Sequence, residues 1–277
     1  MSDEIFNLVE ASAQKMGACD PKWLKQRQVP SFETEEANNG KPPVLLLHGL
    51  FGALSNWDDM IPEAKKFCNP IALQFPILTG HRSEVKVKAL AAYAEYLIRQ
   101  RDLGPVILCG NSLGGHVAMR ICLAAPELVD CLVLSGTSGL YEHSVDALPV
   151  RPSAQYLREH MGRVFHNQDF VTDERINEVL EILSKRMNHL NLIHAARSAK
   201  RDNLINLLGE IKVPTLLLWG EDDQVTTMEV AKAFNTHIPN SELITIKNCG
   251  HAPMIEHPKW FADQMGRFLK EQAKSFK

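Results

Sequence analysis

Six short stretches of the chain are apolar at consecutive positions: residues 44–47, 70–73, 106–109, 131–134, 215–219 and 243–246. A strand with one wet face alternates. A strand apolar on both faces belongs inside a sheet that helices cover on either side. The segments between these runs carry a 3.6-residue period instead. In residues 87–101, Leu90, Tyr93, Ala94, Leu97 and Ile98 fall on one side of a helix. Residues 113–125 are apolar almost throughout and stop at Pro126. Residues 228–237 and 258–274 pattern as further helices, with Pro258 suited to a first turn. Strand alternating with helix predicts a doubly wound, mostly parallel α/β sheet, which binds ligands beyond the carboxyl ends of its strands.

The alternation stops over residues 138–212. Helical periods run through Ile176, Val179, Leu180 and Leu183, then through Leu190, Ile193 and His194, with no strand-like run among them. This predicts a helical cap (138–212) inserted into a core domain made of residues 1–137 and 213–277. The insertion has ten acidic and ten basic residues, so it does not lean toward a strongly anionic ligand. Residues 1–40 are the least legible. Ile5, Phe6, Leu8 and Val9 start an amphipathic pattern, and Asn38-Asn39-Gly40 reads as a turn.

Composition narrows the function classes. A chain of 277 residues, 45% of them hydrophobic, buries a core that needs no disulfide or metal. The net charge of -3 is not concentrated in any block, which argues against nucleic acid or an anionic membrane as partner. The acidic first residues and the lack of a long apolar run predict a cytoplasmic protein with no membrane span. The six scattered cysteines form no Cys-x-x-Cys pair and read as small buried thiols in a reducing compartment. No His-Glu-x-x-His, clustered Cys/His spacing, Gly-x-Gly-x-x-Gly after a strand or Walker loop is present, so neither metal nor cofactor is expected. The expected partner is a small-molecule substrate, and the oligomeric state is left open.

Four loops, each directly after an expected strand, carry candidate chemistry. Gly110-Asn111-Ser112-Leu113-Gly114 joins a strand to a helix and has the G-x-S-x-G form of a nucleophile elbow. Such a turn lifts the Ser112 oxygen above the sheet, and the helix behind it offers free N–H groups to a developing oxyanion. His48-Gly49-Leu50-Phe51-Gly52 can aim a second backbone N–H at the same place; alone it would read as a plain turn. Glu221-Asp222-Asp223 supplies a carboxylate for a histidine, or else a helix cap. His251, in Cys249-Gly250-His251-Ala252, follows the last strand. Ser112, Asp223 and His251 run in the order nucleophile, acid, base, all at one edge of the sheet.

These motifs, HGLFG, GNSLGG, WGEDDQV and NCGHAPMIEHP, resemble those of the α/β-hydrolase superfamily from about residue 43 to 274. The resemblance implies Asp223 as the acid, with Asp222 as the alternative, and the Leu50 and Leu113 amides as the oxyanion hole. It implies that the insertion is the family's cap. Asn111, Phe51 and Tyr141 are the expected pocket residues, and Tyr156, Met161, Phe165, Phe170 and Met187 either line an apolar pocket or serve ordinary helix packing. One stretch departs from the family. Many members have an acidic-x-Pro-Gly-x-Gly-x-Ser loop where this chain reads Gln74-Phe75-Pro76-Ile77-Leu78-Thr79-Gly80-His81-Arg82-Ser83.

The leading expectation is hydrolysis of an ester or thioester with a small apolar acyl group. The alternative is a carbon–carbon bond hydrolase of the meta-cleavage product type. Those enzymes share an asparagine before the serine (Asn111 here). They differ by a tryptophan after the histidine (Ala252 here) and a cap arginine for a substrate carboxylate, for which Arg175, Arg186 and Arg197 are candidates. An expectation from a different class is a non-catalytic receptor built on the same fold.

Overall fold

The computed structural model describes residues 3–18, 20–26, 31–33, 40–141 and 153–275. Seven strands form one sheet: β1 (Ser31–Glu33), β2 (Pro43–Leu47), β3 (Asn69–Leu73), β4 (Val106–Asn111), β5 (Val129–Ser135), β6 (Thr215–Gly220) and β7 (Ser241–Ile246), in the order β1-β3-β2-β4-β5-β6-β7. Strands β2 to β7 are parallel, and β1 pairs antiparallel with β3. The parallel six are the six apolar runs. Every residue of β3, β4 and β6 is buried, as a strand covered on both faces requires. The edge strand β1 spans three residues and had no such signal, because an edge strand need not be apolar on both faces.

Among the described residues ten α-helices accompany the sheet: α1 (Asp3–Met16), α2 (Ile61–Ala64), α3 (Val87–Gln100), α4 (Leu113–Ala124), α5 (Ala154–Val164), α6 (Asp173–Ser184), α7 (Arg186–Arg201), α8 (Met228–His237), α9 (Pro253–Glu256) and α10 (Pro258–Ser275). Helices α1, α3 and α4 pack together, and α4 also packs on β2, β4 and β5. Cys68, Cys109, Cys122, Cys131 and Cys249 are buried free thiols, and burial pushes Cys68 and Cys122 up to about 12. Cys19 and residues 142–152 lie outside the described residues. No helix among the described residues is long and apolar enough to cross a membrane.

Helices α5, α6 and α7 follow β5 and precede β6. Side-chain caps start two of them: Ser153 accepts the Tyr156 N–H and Thr172 accepts the Arg175 N–H. Asp202, just after α7, ties this segment back to the core. Arg120 on α4 grips its carboxylate at 2.6 and 2.7 Å, and His116 Nε2 lies 3.3 Å away. Burial pushes the Asp202 carboxyl up, but the bonds from His116 and Arg120 outweigh it and hold the group below the usual carboxylate range.

Strand order sets the site. The chain steps from β2 to β3 on one side, then crosses to β4 on the other, so a crevice opens between the carboxyl ends of β2 and β4. Helix α4 leaves β4 at that point and passes close under β2. A Cβ on Gly114 would lie 2.0 Å from the Leu47 carbonyl oxygen, and one on Gly110 would lie 2.5 Å from the Gly114 backbone. Gly114→Ala is therefore expected to lower unfolding free energy by about 3 kcal/mol or more, measured by urea denaturation. Gly209→Ala, where nothing lies within 4 Å, should change it by no more than about 0.5 kcal/mol.

Candidate active site

Ser112 joins β4 to α4 with φ 54° and ψ −119°, a conformation that costs a non-glycine residue about 1–3 kcal/mol. Backbone bonds hold it there. Its N–H donates to the Ser135 carbonyl at 3.0 Å, and its own carbonyl accepts from the N–H groups of Gly115, His116 and Ser138. The Ser112 side chain keeps partial exposure while both neighbours are buried.

The carboxylate of Asp223, on the loop after β6, reaches His251 on the loop after β7. Asp223 Oδ2 accepts from His251 Nδ1 at 2.8 Å and from Thr226 Oγ1 at 2.9 Å. Asp223 Oδ1 accepts the Val225 and Thr226 N–H groups. Four donors thus converge on one buried carboxylate, and the bond to Nδ1 leaves His251 Nε2 as the free ring nitrogen. Asp222, the alternative acid, lies elsewhere: its Oδ2 is 3.1 Å from His166 Nδ1.

Three contacts hold the His251 loop, one of them from the elbow. Asn111 Nδ2 donates to the His251 carbonyl at 3.0 Å and to the Ser135 carbonyl at 3.1 Å. The ring lies over Gly136, where a Cβ would come 2.8 Å from His251 Nδ1. From the cap, the Val164 carbonyl accepts the His251 N–H at 2.7 Å. Glu256 adds a bridge, accepting from the Gly250 N–H at 2.7 Å and from the cap's Asn167 N–H at 2.9 Å.

The loop after β2 closes the other side. A Cβ on Gly49 would lie 3.3 Å from Ser112 Cβ, so the Leu50 amide comes next to the serine. Among the described residues neither the Leu50 N–H nor the Leu113 N–H donates a hydrogen bond. Two free backbone donors beside a raised serine are what a tetrahedral oxyanion needs. His48 fixes this loop. Its Nε2 accepts the Phe75 N–H at 3.0 Å, so the neutral ring carries its proton on Nδ1 and donates to the Gly49 carbonyl at 2.7 Å. Burial drives His48 down to about 4, with the Gly49 bond only partly opposing it.

A cavity of about 400 Å3 starts at Leu50 and Phe51 and runs past Phe75, Ile77 and Tyr93 to Ile182 and Leu192 of the cap. Its lining among the described residues includes no Lys, Arg, Asp or Glu. Of the expected pocket residues, Phe51 lines it. Asn111 does not: its amide is spent on the two carbonyls that join elbow and histidine loop. Tyr141 is also outside the lining and is 56% exposed. Phe165 and Phe170 stack on each other with Arg175 above them, and Met187 is exposed, so these serve helix packing or face solvent. The departing stretch supplies much of the wall instead, with Gln74 through Thr79 all lining the cavity.

Sequence reasoning missed four contributors. Thr226 was signalled by its place three residues after Asp223, the spacing of a side chain that folds back on its own backbone. Glu256 stands five residues after His251, but nothing local showed that it reaches Gly250 and Asn167. Val164 acts through its carbonyl and leaves no side-chain trace. His48 stands in the sequence only as the first residue of a glycine-rich turn, with no local sign that Phe75 would donate to it.

Comparison with known proteins agrees with the fold. Residues 44–264 match the family described as "Alpha/beta hydrolase family", and the chain belongs to it. A relative from Cupriavidus pinatubonensis, named 2-hydroxy-6-oxononadienedioate/2-hydroxy-6-oxononatrienedioate hydrolase, is 32% identical over 83% of this chain and 87% of its own. One of the same name from Burkholderia vietnamiensis is 28% identical over 85% and 89%. Among solved structures, an alpha/beta hydrolase enzyme from the sediment metagenome of the Mar Chica lagoon, Morocco, is 31% identical, covering 89% of this chain and 97% of its own, with a TM-score of 0.72.

The low proton affinity of His48 has a sign that can be checked. Above the ordinary value of 6.5 the ring is neutral in both folded and unfolded chains; between 6.5 and about 4 only the unfolded chain gains the proton. Stability from this group is complete above pH 6.5 and is lost as the pH falls toward 4. At about 1.4 kcal/mol per pH unit, wild type should lose about 3 kcal/mol more than His48→Gln over that interval, read from urea unfolding at each pH.

Proposed function

We propose that the protein is a serine hydrolase that opens a carbon–carbon bond beside a ketone, in a substrate of the 2-hydroxy-6-oxo-dienoate type. The observation that carries this reading is the likeness to the two named hydrolases, each over more than four-fifths of both chains. The Asp223–His251 bond and the strained Ser112 turn support the following route. His251 takes the Ser112 proton as Oγ attacks the ketone carbon, and the Leu50 and Leu113 amides receive the oxyanion. Asp223 keeps the imidazolium oriented and stabilised. As the tetrahedral centre collapses, the bond to the neighbouring carbon breaks. That carbon's electron pair is drawn into the conjugated 2-keto tautomer, and His251 returns the proton. Water, deprotonated by His251, then cleaves the acyl-serine to a carboxylate and restores Ser112.

One observation favours a second reading. The cavity next to Leu50 is apolar and holds no cation among the described residues, which suits a neutral ester or thioester with an apolar acyl group. Arg175 is engaged with Phe165, Phe170 and the Phe170 carbonyl, so it does not serve that cavity. Up to the breaking bond the two reactions use the same side chains and differ only in the leaving group, carbon or oxygen.

A single set of assays separates them. The purified chain is expected to form a fluorophosphonate adduct on Ser112 that Ser112→Ala lacks. It should bleach a coloured 2-hydroxy-6-oxo-dienoate faster than it hydrolyses p-nitrophenyl butyrate. The reverse ranking establishes the ester reading, and no adduct with no turnover leaves a receptor. Asp223→Asn should keep the fold and lower kcat on the better substrate by about 10⁴, because the amide favours the wrong histidine tautomer.

A further inference from the structure

A second cavity, of about 410 Å3, lies away from the serine, where the cap helix α7 meets the start of α3 and the end of α1. Lys86, Lys88, Arg197 and Arg201 line it together with His194. His194, Arg197, Ser198 and Arg201 recur at helical spacing and form one stripe of α7. The only acid in the lining among the described residues, Asp202, already accepts from Arg120 Nε and Nη2 and is 3.5 Å from Lys88. Among the described residues no carboxylate pairs with Lys86, Arg197 or Arg201. Four permanent positive charges therefore surround a concavity on a chain whose net charge is -3.

Two further observations describe the field there. Burial first, then the charges of Arg82, Arg197 and Lys86, lower the proton affinity of His194. Helix α3 also begins at this cavity without a side-chain cap from Lys86. Its first N–H is taken by Ser198 Oγ at 3.0 Å, while Lys88 and Ala89 of the same turn line the space. The positive end of the helix dipole thus adds to the side-chain charges.

We propose that this cavity is a binding site for a soluble phosphate ester carrying at least two negative charges, held between core helix α3 and cap helix α7. Guanidinium groups from α7 suit a bidentate grip on phosphate oxygens, and the two lysines supply point charges from α3. The volume admits a ligand larger than a single phosphate. A ligand held here ties cap to core independently of which bond Ser112 attacks.

Calorimetry of the full chain with inorganic pyrophosphate, in about 0.15 M chloride to screen diffuse attraction, tests this. The expected result is saturable one-to-one binding, weakened at least about tenfold in Lys86→Gln/Arg197→Gln. Lys232→Gln/Lys270→Gln, which removes the same charge elsewhere, should bind as wild type does. Thermal melting of each variant without ligand checks folding. Equal weakening in both double variants, or heat that vanishes at this salt, means an adventitious ion only and overturns the proposal. Binding to phosphatidylglycerol vesicles that pyrophosphate does not displace overturns it in favour of a membrane surface.

Discussion

The close approach of α4 to β2 and β4 is the constraint on which the rest of this molecule depends. It forces Ser112 into its left-handed backbone conformation, and it is open only to residues without a Cβ at positions 110 and 114. The strained turn puts the serine above the sheet and the helix N-terminus behind it, and it aligns both with the loop after β2. The cost, about 1–3 kcal/mol, is offset by the four backbone hydrogen bonds that fix Ser112 and by the buried strands on either side. The placement of Ser112 and core packing are one arrangement here, because the same carbonyl of Ser135 that holds the Ser112 N–H also accepts from Asn111, which reaches on to the histidine loop.

The histidine is held from three directions, and the cap is one of them. Asp223 fixes the ring, Asn111 fixes the carbonyl and Val164 fixes the N–H. Glu256 then spans from the histidine loop to the cap backbone, and His166 faces Asp222 beside it. The segment between β5 and β6 is thereby anchored on the His251 loop at the end of α5. Further ties lie along and after α7: Asn191 donates to the Gly80 carbonyl, Ser198 accepts the Val87 N–H, and Asp202 sits on Arg120. Held this way, the segment contributes Ile182 and Leu192 to the lining of the cavity behind Leu50.

Charge divides the two cavities. The one beside Leu50 is apolar, and the buried His48 in its wall stays neutral in the physiological range. The other cavity gathers cations. Both are lined by residues of α7 and α3, with Leu192 and Tyr93 on the apolar side and Arg197 and Lys88 on the basic side.

The sequence determined the six parallel strands, the extents of α3, α4, α8 and α10, and the elbow, because these follow from short-range patterns: consecutive apolar residues, a 3.6-residue period, and glycines flanking a serine. Chain order and position after strands also marked Ser112, Asp223 and His251 as a set. Tertiary structure decided what those patterns do not encode. It chose Asp223 over Asp222 for contact with His251, since adjacent residues point in different directions. It turned Asn111 inward as a brace, and it left Tyr141 out of the cavity. The insertion's ten acids and ten bases cancel along the chain, yet folding sets Arg197 and Arg201 against Lys86 and Lys88, more than a hundred residues earlier. Electrostatics acts through distance in space, and only the packed helices set that distance.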